Sequence, residues 1–140
     1  MSSITVLLVE DSKVQKLANE RILNKAGYIV LNAADGEEAV RIAQEKVPDL
    51  ILLDMMLPKL SGPDVLRALK KQSTTANIPI IVLTSLSQNN EAKLKLEGAT
   101  AYFEKSRLSE GELGQNSFLN IIEKVLKEAK APRVGAVPAH

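Results

Sequence analysis

Hydrophobic residues in this chain gather into five short runs, and the stretches between the runs have helical spacing of apolar and polar positions. Branched aliphatic residues dominate the runs, which is typical of strands buried inside a sheet. The pattern predicts strands over residues 4–9, 28–32, 49–53 and 78–84, and a weaker strand over 101–104. Strand and helix signals therefore alternate five times along the chain.

The first stretch between strands has the clearest helix signals. Ser12 and Gln15 have the spacing of a capping box, and Gly27 stands where the helix must end. Between these ends the apolar residues form a single stripe, which is usually the core-facing side of a helix: Val14, Leu17, Ala18 and Ile22.

A second and a third helix also have recognisable ends. Asp35 can cap the second helix, which must end before Pro48 because proline disfavours helical geometry in the preceding residue. Ser61 can open the third helix, which has Pro63 in its first turn. The apolar positions of these two helices are Ala39, Val40 and Ala43 in the second, and Val65, Leu66 and Leu69 in the third.

The two remaining helices differ in strength. A fourth helix, over residues 88–97, has only a poor apolar stripe and ends at Gly98. The connection over 106–117 is long and holds Gly111 and Gly114, so the start of the last helix is left open. That helix stops before Pro132, and its apolar face is Phe118, Ile121, Ile122, Val125 and Ala129. Residues 132–140 have no period, so we expect one domain over 1–131 followed by a disordered tail or the start of a linker.

The alternation of strands and helices predicts an α/β fold with a parallel sheet covered on both faces. The common form with five strands is the doubly wound, flavodoxin-like three-layer sandwich with strand order 2-1-3-4-5. In this order the first and third strands are neighbours, and the winding reverses between them. Ligands bind at that point, beyond the carboxyl ends of the strands.

Polar side chains stand at the carboxyl ends of the predicted strands. Glu10 and Asp11 follow the first strand, Asp54 follows the third, Thr84 ends the fourth, and Lys105 follows the fifth. At an effective dielectric near 20, two like charges ~4 Å apart repel by about 4 kcal/mol, so the site must protonate an acid, use the lysine or bind a cation. Carboxylates without histidine or cysteine favour a hard ion such as Mg²⁺.

An aspartate in such a crevice can attack phosphorus and form an aspartyl phosphate. This transfer needs placement and neutralisation of the phosphoryl oxygens, which Mg²⁺, the Lys105 ammonium and the Thr84 hydroxyl could supply. Each residue taken alone has a simpler explanation: Asp54 as a turn former, Asp11 as a helix cap, or Lys105 as a solvated lysine. The convergence of several strand ends on one chemistry favours phosphoryl transfer.

Composition excludes several other classes of protein. The chain has 140 residues, 45% of them hydrophobic, and a net charge of +1, which fits one globular domain and argues against a nucleic-acid binder. The absence of cysteine excludes disulfides and thiol chemistry. No apolar run approaches the ~18 residues of a membrane span, and the first residues lack the basic segment of a signal peptide. We therefore expect a cytoplasmic location.

Taken together, these residues resemble the receiver domains of bacterial two-component response regulators, over roughly residues 4–131. No single feature is specific, but the combination is. The features that carry the resemblance are the acidic pair Glu10 and Asp11, Asp54 after LILL, Pro58 and Gly62 at four and eight residues beyond it, LTS ending at Ser85, and Tyr102 three residues before Lys105.

The resemblance implies a phosphorylation-controlled switch rather than a turnover enzyme. Asp54 would accept a phosphoryl group from a histidine of a sensor kinase or a phosphotransfer protein. Asp11, Asp54 and the main-chain carbonyl of Met56 would bind Mg²⁺ or Mn²⁺, with Glu10 acting through water. Thr84 and Lys105 would hold the phosphoryl oxygens.

The resemblance also implies how the signal would leave the site. Thr84 and Tyr102 would be the switch residues, with the hydroxyl moving toward the phosphate and the aromatic ring turning inward. These movements would remodel the face formed by the fourth helix, the fifth strand and the last helix, where an unknown target protein would bind. Direct binding of nucleic acid or membrane is not implied, and a phosphorylation-dependent dimer is left open.

One departure from the family pattern concerns the segment after Lys105. Family members usually have proline next, in a cis peptide bond, whereas this chain has Ser106. A cis bond to a residue other than proline costs about 2.5 to 4 kcal/mol. We therefore predict a trans bond between Lys105 and Ser106, with the loop rearranged so that Lys105 still reaches the site.

Three other functions would fit the same fold. A phosphatase of the haloacid dehalogenase type needs a second aspartate where this chain has Met56. A flavodoxin-like flavin binder needs a first loop that accepts phosphate, which Glu10 and Asp11 would repel. A receiver-shaped module that is never phosphorylated would have no need of the clustered charges, which include Asp54 and Lys105. The phosphoacceptor hypothesis is favoured over all three.

Overall fold

The computed structural model describes residues 3–55, 57, 59–84 and 98–130. Some of the predictions concern residues outside this set. They are the helix over 88–97, the tail over 132–140, and the residues Met56, Pro58 and Ser85.

The described residues form a five-stranded parallel sheet with helices on both faces. The strand order is β2-β1-β3-β4-β5, which confirms the predicted doubly wound α/β fold. The strands are β1 (Thr5–Val9), β2 (Ile29–Ala33), β3 (Leu50–Asp54), β4 (Ile80–Thr84) and β5 (Ala101–Glu104). The helices are α1 (Lys13–Lys25), α2 (Gly36–Lys46), α3 (Gly62–Lys71), a short 3-10 helix (Lys105–Ser109) and the C-terminal helix α4 (Glu112–Lys130).

Hydrophobic side chains form one core on each face of the sheet. The first core lies between the sheet and helices α2 and α3, and the second lies between the sheet and helices α1 and α4. Strand β3 contributes to both, since Ile51 and Leu53 belong to the first core and Leu50 and Leu52 to the second. This double burial explains the continuous apolar run before Asp54.

The predicted caps of the first three helices are confirmed. Ser12, Asp35 and Ser61 are the N-cap residues of α1, α2 and α3, and each side chain accepts a hydrogen bond from a backbone N–H of the first turn. Such bonds satisfy N–H groups that have no partner inside the helix. The caps therefore fix where each helix begins relative to the preceding strand.

The orientation predicted for α1 is wrong over the first part of the helix. Val14 and Leu17 are 79% and 59% exposed, whereas Asn19 and Leu23 are the buried residues of this helix. Leu23 packs in the second core, and a residue four positions before it points in the same direction on a helix. The first part of the apolar stripe therefore faces outward, beside the carboxyl edge of the sheet, whereas Ile22 packs against the second core.

The C-terminal helix matches its predicted apolar face except near its end. Phe118, Ile122 and Val125 are buried as expected, but Ala129 is exposed and Leu126 is buried in its place. The long connection before this helix holds the 3-10 helix, and Gly111, with φ of 73°, directly precedes Glu112. No helix among the described residues has both the length and the apolar character needed to cross a bilayer.

Candidate functional site

The three acids predicted to meet do lie together at the carboxyl edge of the sheet. In the register of β1 and β3, Val9 is paired with Leu53, so the next residues, Glu10 and Asp54, emerge side by side. Each of the two is only 2% exposed, whereas Asp11 is exposed. One carboxylate oxygen from each of the three acids lies within 4.8 Å of the others. The crevice therefore concentrates negative charge at one point.

Lys105 provides positive charge to this cluster. Its Nζ lies 3.1 Å from Asp54 Oδ2 and 3.5 Å from Glu10 Oε1. The lysine side chain is 16% exposed, so both contacts are partly shielded from water. Lys105 begins the 3-10 helix after β5 and reaches across the end of β4 to the acids. No peptide bond among the described residues is cis, so the predicted trans bond to Ser106 is confirmed.

The two predicted switch residues lie on strands β4 and β5. Thr84 is the last residue of β4, the strand next to β3, and is half-buried at the same edge of the sheet as Asp54. Tyr102 is also half-buried, and its side chain packs against the first core. The structure thus brings Thr84 to the crevice and Tyr102 to the neighbouring core, while their roles as switch residues stay predictions.

The pKa of the Glu10 carboxyl is raised well above its ordinary value. Burial is the largest cause, and it raises the pKa of this carboxyl from 4.5 to about 7. The hydrogen bond and negative charge of Asp54 act in the same direction, whereas the positive charge of Lys105 and the backbone N–H of Ser12 lower the pKa. The Ser12 N–H donates to Glu10 Oε2 over 3.2 Å. This backbone contact had no signal in the sequence.

The raised pKa of Glu10 predicts a pH dependence of stability in metal-free protein. Because the pKa is about 7 in the folded chain and 4.5 in the reference state, folding favours the protonated acid. The contribution of Glu10 to the free energy of unfolding is therefore fully present below pH 4.5 and is lost as the pH rises toward 7. The total loss is about 3 kcal/mol. Urea unfolding of the wild type and of Glu10→Gln, with chelator present, would measure it.

Glu10→Gln imitates the protonated acid at every pH. The difference in free energy of unfolding between this variant and the wild type should therefore change between pH 4.5 and about 7 and level off above that range. Glu45→Gln, at an exposed position of α2, is the matched control and should follow the wild type. Parallel pH curves for the wild type and Glu10→Gln would contradict the assignment of the raised pKa to Glu10.

The crevice also suits a divalent cation. All the donors are carboxylate oxygens, which are the ligands that Mg²⁺ and Mn²⁺ prefer over nitrogen or sulfur. Glu10 Oε1 is buried and has no hydrogen-bond donor, since Lys105 Nζ at 3.5 Å makes only an ionic contact. A cation, or water bound to one, would satisfy this oxygen. Glu10, Asp11 and Asp54 therefore fit a hard ion.

Comparison with known proteins agrees with this geometry. The family model for the response regulator receiver domain matches residues 6–116, which is most of the chain. The chain belongs to the response regulator receiver domain family. It is thus the receiver domain of a two-component response regulator, as its sequence features predicted.

Curated relatives of this receiver domain include proteins of several lengths. It is 37% identical to a gliding motility regulatory protein of Myxococcus xanthus over 87% of this chain and 15% of the relative. It is 40% identical to the regulatory protein PhoP of Bacillus subtilis over 71% of this chain and 41% of the relative. It is 32% identical to DivK of Brucella anthropi over 72% of this chain and 83% of the relative. The receiver domain thus spans less than half the length of the first two relatives.

Solved structures of receiver domains superpose closely on this one. The receiver domain of the sensor histidine kinase PA1611 from Pseudomonas aeruginosa is 29% identical, with a TM-score of 0.77. The match covers 89% of this chain and 98% of that chain, and that structure has a magnesium ion coordinated in its active site cleft. The chemotaxis protein CheY4 of Vibrio cholerae has the same identity and TM-score, with coverage of 89% and 99%.

Proposed function

We propose that this receiver domain accepts a phosphoryl group on Asp54 from a phosphohistidine of a sensor kinase or a histidine phosphotransfer protein, in a step that requires Mg²⁺ or Mn²⁺. The observation that carries the proposal is the constellation in the crevice, where a buried aspartate touches a lysine and stands beside two further acids. The reaction is self-limiting phosphotransfer, without turnover of an independent substrate.

Each residue of the crevice has one task in the proposed transfer. An Asp54 carboxylate oxygen attacks phosphorus, the new oxygen–phosphorus bond forms, and the nitrogen–phosphorus bond to the donor histidine breaks. The electron pair of the broken bond returns to the imidazole, which takes up a proton. Lys105 Nζ and the Thr84 hydroxyl offset charge on the phosphoryl oxygens. A bound cation would supply further positive charge next to Glu10, Asp11, Asp54 and the carbonyl of Met56.

The exposed apolar stripe of α1 supports a protein as the phosphoryl donor. Val14 and Leu17 are exposed, and a groove of about 600 Å³ lies between Val14 and the 3-10 helix. Lys105, which touches Asp54, lines the groove together with Val14 and Leu108. A donor that packs on this surface would bring its phosphohistidine to the mouth of the crevice. Exposed apolar side chains next to a reactive site are in keeping with a protein as the donor.

Phosphorylation would signal through the face that includes β5 and α4. In this proposal Thr84 moves toward the phosphoryl group and Tyr102 turns inward, which shifts a two-state equilibrium and changes the surface seen by a target protein. Tyr102 is suited to this because it lies on β5, one residue from Phe103, which is buried in the second core. The predicted helix over 88–97 would form the rest of this face.

Removal of divalent metal gives a direct test of the proposal. Radiolabelled acetyl phosphate should label the protein in buffer with Mg²⁺, and chelator should stop the labelling because three acids would then repel the incoming phosphoryl oxygens. Restoring Mg²⁺ in excess over the chelator should restore the labelling, which controls for damage to the protein. Labelling that is indifferent to chelator would count against the metal-dependent step.

A further inference from the structure

The 3-10 helix that begins with Lys105 is closed by hydrogen bonds of its own. The Ser109 hydroxyl donates to the carbonyl of Ser106 over 2.8 Å, and the Glu110 N–H donates to the carbonyl of Arg107 over 3.1 Å. A 3-10 helix of this length is seldom stable without outside support. The direction of Lys105 therefore depends on what packs against this segment.

Helix α4 supports the segment through an unusually close backbone approach at Gly114. A methyl group on residue 114 would lie 1.7 Å from the carbonyl oxygen of Arg107 and 2.8 Å from its carbonyl carbon. These are backbone atoms of the 3-10 helix, so they cannot move aside without moving the segment. Only glycine allows the first turn of α4 to sit at this distance.

The Arg107 side chain provides a second attachment. Its guanidinium lies over the Phe103 ring, with the central carbon 5.0 Å from the ring centroid. Phe103 is 3% exposed, and its ring centroid is 5.2 Å from that of Phe118 on α4. A cation over an aromatic face is attracted to it, so Arg107 ties the 3-10 helix to the second core.

We propose that Gly114 is a positioning residue for phosphoryl transfer, because it lets α4 hold the 3-10 helix where Lys105 Nζ reaches Asp54. The lysine makes its contacts with Asp54 and Glu10 at 3.1 and 3.5 Å, so a shift of the segment by one ångström would break both. Ser106 follows Lys105 in a trans bond, so proline plays no part in aiming this lysine. The inference rests on the proposed function only where it is tested by the rate of labelling.

Gly114→Ala tests the inference directly. We expect labelling by acetyl phosphate at saturating Mg²⁺ to slow by about 10- to 100-fold, the loss that follows from misplacing a catalytic group by ~1 Å. In metal-free protein, the NMR signals of the Lys105 side chain should also shift, because its ammonium would lose the contact with Asp54. Gln115→Ala is the matched control, since this neighbouring residue in the same helix is exposed. It should leave both readouts close to wild type.

A double substitution separates positioning from general damage. If Gly114 acts through Lys105, Gly114→Ala should cause no further loss of labelling in a Lys105→Met background. An equal loss in both backgrounds, or unchanged NMR signals of the Lys105 side chain in Gly114→Ala, would overturn the inference. Should Gly114→Ala not fold, Arg107→Met carries the same test, with a smaller expected effect in the same direction. Absence of labelling in the wild type would reject the proposed function, while the NMR signals of the Lys105 side chain would still report whether the lysine contacts the acids.

Discussion

Asp54→Asn is expected to reduce labelling by acetyl phosphate more than about 10³-fold, because an amide cannot replace a carboxylate as the nucleophile. The substitution keeps the shape of the side chain and removes one of three clustered negative charges, so the folded state should persist. Autoradiography of the protein after timed exposure to labelled acetyl phosphate, with circular dichroism to verify folding, would measure both effects.

Asp49→Asn is the matched control for this experiment. Asp49 directly precedes β3, at the opposite end of the strand from Asp54, and its Oδ2 accepts a hydrogen bond from the Thr5 N–H over 2.8 Å. Loss of that bond should cost some stability but leave labelling intact. Undiminished labelling of Asp54→Asn would reject Asp54 as the acceptor and direct attention to Asp11.

Lys105→Met is expected to have the second-largest effect, a reduction of about 10²-fold in the rate of labelling. Among the described residues Lys105 is the cation in contact with Asp54, so its loss leaves charge on the phosphoryl oxygens without this partner. The variant should also bind Mg²⁺ more tightly, since no ammonium group then competes for the acids. Calorimetric titration with Mg²⁺ and single-turnover labelling would separate the two effects.

Lys127→Met, at an exposed position of α4, should behave as the wild type in both measurements. If Lys105→Met kept the wild-type labelling rate, the contact with Asp54 would be structural. A lower affinity for Mg²⁺ in that variant would also contradict the electrostatic argument, because it would mean that the lysine helps to build the metal site.

The location of the acids could be predicted because it depends on topology alone. Glu10 and Asp54 stand at the ends of neighbouring parallel strands, and the strand order is the common one for five alternating strands and helices. Lys105 could be assigned to the same edge for the same reason, although β4 lies between β5 and β3. Carboxyl ends of parallel strands always meet at one edge, so no side-chain detail was needed.

The orientation of α1 could not be predicted, because apolar periodicity identifies one face of a helix but not its neighbour. Here the apolar face belongs to Val14 and Leu17, and the side that meets the sheet has Asn19 and Leu23. A polar residue in a buried position breaks the usual pattern, and only the packing of the helix on the sheet reveals it. The usual rule that the apolar face of a helix meets the core is broken here, at the end of α1 that lies near the crevice.

The close approach at Gly114 was equally hidden. Glycine weakens a helix, so its presence in the first turn of α4 is a signal that something unusual lies nearby. The sequence cannot say whether the cause is a turn, a positive φ or a contact, and here it is contact with the Arg107 carbonyl. The raised pKa of Glu10 belongs to the same class, because it depends on burial and distance rather than on residue type.

The division of the interior into two cores has a consequence for how the sequence can drift over evolutionary time. Residues that pack with α2 and α3 touch few of those that pack with α1 and α4, so either half can be rebuilt without disturbing the other. The central strands are the exception, because successive residues of β1, β3 and β4 fill both halves. Of these three strands, β3 is buried at every residue, so the stretch with the least freedom to change is the one that ends in Asp54.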